Sequence, residues 1–337
     1  MSLTTDSLVY TKLRPSQARP ELVARPQLTA KLEREPGRKL TLISAPAGFG
    51  KTTLLVEWLK EREDGDRSVA WVSLDEGDND PVRFLSYLVA ALRRTVGEEF
   101  GEGVLAALRS PEPPRMEAVL GAFVNELVDL PGEVGVVLDD YHVIDSESVH
   151  RIVTFLLEHL PPNVHLVVST RIDPPLPLVR LRARNQMTEL DAADLTFTPE
   201  EAASFLHTVM GLDLSAEDVA ALEERTEGWI AALQLAALSL RSGGDANSLI
   251  GRLSGASDVV GEFLAENVVD TLEPELREFL LATSITERTC GGLASALAGV
   301  TRGHAMLADF GIAKAVSSSR GDTDPELTSR NLSAQHI

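Results

Sequence analysis

The segment SAPAGFGKTT, residues 44–53, sets Gly48, Gly50, Lys51, Thr52 and Thr53 at a spacing suited to gripping phosphate. Glycines let a backbone bend closely around phosphate oxygens, and successive N–H groups at a helix N-terminus present donors to an anion. The run matches G-x-x-x-x-G-K-[ST] except at the first glycine, where Ala45 stands. In that pattern the backbone from Ala47 through Phe49 to Thr53 wraps the phosphates. Lys51 reaches the β- and γ-phosphates, and the Thr52 hydroxyl is a ligand for Mg²⁺. The expected ligand is ATP, or ADP after hydrolysis, with Mg²⁺.

A second run, VGVVLDDYH (134–142), ends an apolar strand on two carboxylates. Burying them is costly unless a cation meets them. Downstream of a P-loop this is the Walker B position, where Asp139 holds Mg²⁺ directly or through water. Asp140 is the candidate general base for the attacking water. A third strand, NVHLVVSTR, ends on Ser169-Thr170-Arg171. Ligands of open parallel sheets sit at the carboxyl ends of the strands, so Arg171 is positioned to contact a γ-phosphate. Trp58, Trp71 and Trp229 lie within apolar patterns and are expected in the core. The histidines form no pair at metal-ligand spacing, so no zinc site is expected.

The elements that must carry these residues alternate. Strand-like runs at 39–44, 68–74, 134–140 and 163–171 alternate with amphipathic helical patterns at 52–62, 81–96, 116–130 and 148–160. Short apolar strands between amphipathic helices predict a doubly wound parallel sheet covered on both faces, an α/β P-loop NTPase fold. After Leu190 the strand signal fades. Thr198-Pro199-Glu200-Glu201 reads as a capped helix start. Helices are expected at 199–209, 215–241, 258–272 and 274–283, with a hinge at Ser242-Gly243-Gly244-Asp245. Arg180, Arg182 and Arg184 read as the solvated face of a short helix.

The bulk numbers exclude several classes. The charge of −20 disfavours direct DNA binding by this chain. One cysteine, Cys290, permits no internal disulfide. No apolar stretch is long enough to span a bilayer and no secretory signal opens the sequence, so a cytoplasmic protein without a membrane partner is expected.

LRPSQARPELVARPQL, APAGFGKTTLL, WVSLDEGDNDPVRFL, VVLDDYHVI, STRIDPPLPLVRLRAR, FTPEEAASFL and TEGWIAALQLAALSL occur in the order found in MalT-like regulators of the LuxR family. FLAENVVDTLEPELREFLLATSI continues the series. Over residues 8–285 the chain resembles that family, whose modules are STAND ATPases related to AAA+ proteins. The resemblance implies an N-terminal segment (1–37) contributing to the nucleotide site, with Val23 and Arg25 contacting adenine. It further implies a P-loop domain (38–196), a helical lid (197–255) and a partial winged helix (256–300). The implied activity is an ATP-driven switch with slow hydrolysis, closed with ADP and opened by an inducer with ATP so that copies self-associate. The alternatives are a nucleotide-dependent assembly scaffold without useful turnover, and a fragment of a Ser/Thr kinase fusion.

Two departures stand out. The family's inducer-sensing repeats and C-terminal helix-turn-helix have no counterpart in these residues, which read as the switch without sensor or DNA-binding output. The string GHAMLADFGIAKAV (303–316) resembles a kinase activation segment, with Asp309-Phe310-Gly311 at its magnesium-binding position; the alternative is that AMLADF continues the winged helix and the DFG is coincidence. No H-R-D-x-x-x-x-N, G-x-G-x-x-G or A-P-E accompanies it, so it lacks the parts needed for phosphoryl transfer. Residues 301–337 are expected to form a disordered tail.

Overall fold

A computed structural model describes residues 8–15, 22–33, 37–61, 68–112, 114–241, 277–279, 282 and 291–299. The chain divides into two compact units, Met1–Val260 and Gly261–Ile337. The expectations for residues 242–255 and for the tail at 301–337 lie outside the described residues, as does most of the winged helix expected over 256–300. In the second unit a helix spans Gly291–Ala298, and Phe279 is buried.

In the first unit five parallel strands form one sheet in the order β2-β3-β4-β1-β5. They are β1 (Leu40–Ser44), β2 (Ser68–Ser73), β3 (Val134–Asp139), β4 (Val164–Thr170) and β5 (Met187–Leu190). Side chains alternate across a strand, and here the two sets fill two cores. Leu42, Val72, Leu138 and Val168 enter one core, while Ile43, Trp71, Val137 and Val167 enter the other. The first core is closed by α3 (Pro81–Val96), α4 (Glu102–Arg109), α5 (Met116–Val128), α6 (Glu147–His159) and α7 (Leu178–Ala183). The second is closed by α1 (Pro26–Leu32), α2 (Lys51–Lys60) and α8 (Ala192–Leu195). The sheet is thus covered on both faces, as a doubly wound P-loop fold requires.

A third core belongs to the helices that follow β5, the segment expected to form the lid. It joins α9 (Pro199–Ser204), a π-helical turn over Phe205–Val209, α10 (Ala216–Thr226) and α11 (Ile230–Arg241). Thr198 caps α9 and Glu201 closes the capping box, as the sequence predicts. The single helix expected over 215–241 is instead two. Glu227 and Gly228 both take positive φ (49° and 67°), which turns the chain between α10 and α11. Gly228 sits so close to the strand-to-lid connection that a Cβ there would lie 2.5 Å from the Phe197 carbonyl oxygen. Backbone approach at that point, not helix propensity, sets the break.

The N-terminal segment serves two places. Near its start, the turn Tyr10–Leu13 packs on β2, with Lys12 buried against Asp78 and Asp75 and stacked over Tyr87. Residues 22–33 run along the seam between α2 and the lid.

Candidate functional site

The P-loop begins where β1 ends. Residues 45–50 form the loop, and Gly50 at φ 78° caps α2 at its N-terminus. Gly48 also takes positive φ (80°), so both loop glycines occupy left-handed backbone that other residues adopt at a cost. Lys51 turns back over the loop and its Nζ donates to the carbonyls of Ala45 (2.7 Å) and Pro46 (2.9 Å). Burial, with Arg171 adding repulsion, lowers the Lys51 pKa to about 8. A buried ammonium held over a glycine-containing loop at a helix N-terminus suits polyphosphate.

Thr52 opens the first turn of α2 and points its hydroxyl at Asp139, donating to both carboxylate oxygens at 3.2 and 3.1 Å. Asp139 is 2% exposed and also accepts from Ser169 Oγ. Burial, with Asp140 beside it, lifts its pKa to about 6 against the hydrogen bonds from Ser169 and Thr52. A hydroxyl and a buried carboxylate converging on one point supply the hard oxygen donors that Mg²⁺ takes, with phosphate and water completing its shell. Thr52 and Asp139 are therefore the residues that fit the metal.

The raised Asp139 pKa makes a prediction. A carboxyl whose pKa rises on folding binds its proton more tightly in the folded state, so it favours folding at low pH. That advantage is lost as pH climbs from about 4 through about 6, and above pH 6 the buried charge opposes folding. Asp139→Asn is expected to stabilise the nucleotide-free protein by about 1–3 kcal/mol at pH 8 and by less at pH 5. Urea unfolding at both pH values checks it, and an equal or reversed effect at pH 8 would count against the assignment.

Asp140 follows in left-handed conformation (φ 60°, ψ 40°) and its side chain is half exposed toward the site. Arg171, just beyond β4, is close enough to depress the pKa of both Lys51 and His142. The carboxyl ends of β1, β3 and β4 thus bring Lys51, Thr52, Asp139, Asp140 and Arg171 together, as the sequence spacing predicts. His142 joins them without having been anticipated. Its Nδ1 is buried with no hydrogen-bond partner among the described residues, 3.9 Å from Asp140 Oδ1. Burial, with Arg171 next, lowers its pKa to about 4, so the ring is neutral at physiological pH. The signal in the sequence is its place two residues after Asp140.

Trp58 and Trp71 are core residues, as expected. Trp229 is not. It lies at the start of α11, its indole Nε1 donates to the Ala47 carbonyl (3.2 Å), and its ring lies 6.4 Å from that of Phe49. Beside it the Ala231 N–H donates to the Gly48 carbonyl (3.1 Å). The lid is bonded directly to the P-loop backbone.

Val23 and Arg25 lie on the seam between α2 and the lid. Val23 packs against the lid core. Arg25 is buried, its guanidinium donating to both oxygens of Glu201 on α9 and to the carbonyls of Asp194, Leu195 and Thr196. The Arg25 backbone N–H meets Glu57 of α2 at 2.9 Å.

Known proteins match this arrangement. Residues 265–324 match the MalT winged helix domain. The chain is 34% identical over 290 residues to the HTH-type transcriptional regulator MalT of Yersinia enterocolitica, covering 86% of this chain and 32% of that protein. The chain carries a MalT-like P-loop module. It is also 46% identical over 300 residues to the serine/threonine-protein kinase PknK of Mycobacterium tuberculosis, covering 88% of this chain and 27% of that protein. The chain therefore spans about a third or less of the length of these relatives. Among solved structures, the Walker-type ATPase PABY2304 of Pyrococcus abyssi shares the fold at a TM-score of 0.51 and 16% identity, over 95% of this chain and 91% of that one. The MalT-like match includes Asp309-Phe310-Gly311, so that string falls within a winged-helix match. No helix among the described residues is long and apolar enough to cross a membrane.

Proposed function

We propose that this chain is the ATP-binding, slowly hydrolysing switch module of a cytoplasmic MalT-like regulator. The carrying observation is the pair of hydrogen bonds from Trp229 and Ala231 to the carbonyls of Ala47 and Gly48. Any nucleotide that reshapes the loop must act on the lid, because one indole and one backbone N–H of the lid donate to loop carbonyls. Differential contact of this kind is what lets a ligand shift a conformational equilibrium.

In this reading residues 47–53 enclose the phosphates and Lys51 neutralises the β- and γ-oxygens. Thr52 and Asp139 hold Mg²⁺, which supplies charge neutralisation across the phosphates. Asp140 accepts the proton of the attacking water, His142 lies within reach of that water, and Arg171 contacts the γ-phosphate. Val23 borders the base while Arg25 holds its segment against the lid. ATP favours an open, self-associating form, ADP a closed one, and an inducer sensed elsewhere in the full protein biases the two. DNA contact belongs to other parts of the full protein.

Two carboxylate variants test the roles. Asp140→Asn is expected to keep ATP affinity within about threefold while slowing phosphate release at least 100-fold, since it removes a proton acceptor and little volume. Asp139→Asn is expected instead to abolish the gain in ATP affinity that Mg²⁺ confers. Calorimetry with and without Mg²⁺, paired with phosphate-release kinetics, separates them. Wild-type turnover in both variants would make the carboxylates structural. Absence of turnover in the unsubstituted protein would favour an assembly scaffold.

A further inference from the structure

We propose that Ser169 is a positioning residue that ties the orientation of the general base to the metal-binding carboxylate. This rests on the assignment of Asp139 and Asp140 above. β4 lies between the P-loop strand β1 and the Asp139 strand β3. The β3–β4 ladder runs to Leu138 opposite Val168, and Ser169 stands one residue beyond, fully buried. Its hydroxyl has one hydrogen to give, which goes to Asp139 Oδ1. Its lone pairs accept the Asp140 backbone N–H at 3.1 Å. The three groups form a directed chain from the Asp140 amide through Ser169 Oγ to the Asp139 carboxylate.

That chain matters because Asp140 is one of three non-glycine residues with positive φ among the described residues. Left-handed backbone is disfavoured for a residue with a Cβ and persists where surroundings hold it. Here it turns the chain out of β3 into the short turn Tyr141–Val143 and leaves the Asp140 carboxylate facing the site. The amide hydrogen bond to Ser169 is the side-chain contact that fixes this peptide. Thr52, by contrast, is shared between both Asp139 oxygens at 3.1–3.2 Å, a looser contact that a metal ligand can exchange. Ser169 therefore keeps Asp139 and Asp140 in register whichever partner Thr52 takes.

Ser169→Ala in the full chain is expected to lower turnover about 10–100-fold while Mg²⁺–ATP affinity stays within about threefold. Amide exchange over 138–142 in the nucleotide-free protein is expected to accelerate at least tenfold. Ser169→Thr, which keeps the hydroxyl, is expected to restore both. A loss confined to stability, with turnover and exchange unchanged in the folded protein, would overturn the proposal and leave the Asp140 assignment standing. Absence of turnover in the unsubstituted protein would overturn both. If Ser169→Ala does not fold, Ser169→Cys offers a similar volume with a weak donor. Its turnover is then expected to fall and its exchange to rise, and wild-type values of either would overturn the proposal.

Discussion

Lys51→Ala is expected to weaken ATP binding at least 100-fold while leaving the nucleotide-free protein folded. In the loop the ammonium is buried, held by two carbonyls and pushed down to a pKa of about 8. Its folded pKa lies below its unfolded value near 10.5, so between those values the unfolded chain binds more protons. The charged group therefore opposes folding below pH 8, and that opposition is relieved as pH rises from about 8 to 10.5. Removing it costs no net stability at pH 7, whereas the phosphates lose the point charge that the loop supplies. The same reasoning gives a pH signature for the unsubstituted protein. ATP binding raises the Lys51 pKa, so affinity is flat below pH 8 and falls by up to about tenfold per pH unit above it. Calorimetry from pH 6.5 to 9.5 with both proteins checks this. An affinity in Lys51→Ala within twofold of the unsubstituted protein would remove the P-loop assignment.

How far the sequence made this legible depended on how local each interaction is. The strands before and after the phosphate loop, the Asp139-Asp140 pair and the Thr198–Glu201 cap are written in adjacent residues, so composition and spacing reveal them. β5 escaped because four residues, Met187–Leu190, are too few for a period, and their identity as a strand comes from pairing with β1. Helix α4 is likewise hard to read, since its eight residues follow a Gly-rich run that reads as loop. Gly48 was legible as a phosphate-loop glycine but not as a lid contact. A Cβ there would lie 2.5 Å from the Ala231 Cβ, a constraint imposed from far along the chain. Trp229 looked like core because its neighbours are apolar, yet its N–H has a carbonyl partner on the loop. Ser169 is silent in the sequence beside Arg171, because a charged strand end announces chemistry and a buried hydroxyl does not.

Arg25→Ala is expected to lower the melting temperature by roughly 6–20 °C and to weaken ATP binding although Arg25 touches no residue of the P-loop. The guanidinium forks onto Glu201, caps three carbonyls of the strand-to-lid connection and stacks 5.2 Å from the Phe197 ring. Its removal strands the buried Glu201 carboxylate, left with Gln27 Nε2 and the Thr198 N–H, and orphans the carbonyls. Breaking one side of a buried ion pair costs about 3–5 kcal/mol, and a domain of this size loses roughly 2–4 °C per kcal/mol. Glu201 also closes the cap of α9, so the first turn of the lid loosens with it. A loosened lid no longer presents Trp229 and Ala231 to the loop, and ATP affinity falls through that route. Adding Glu201→Gln to Arg25→Ala removes the stranded charge but keeps the amide-accepting oxygen. The double variant is expected to regain about half of the lost stability while recovering little ATP affinity, because the fork to the connection stays absent. Thermal unfolding and calorimetry on the two single variants and the double variant form a closed cycle. Strict additivity across that cycle would show that Arg25 and Glu201 do not act as a pair, and the lid would then need another anchor.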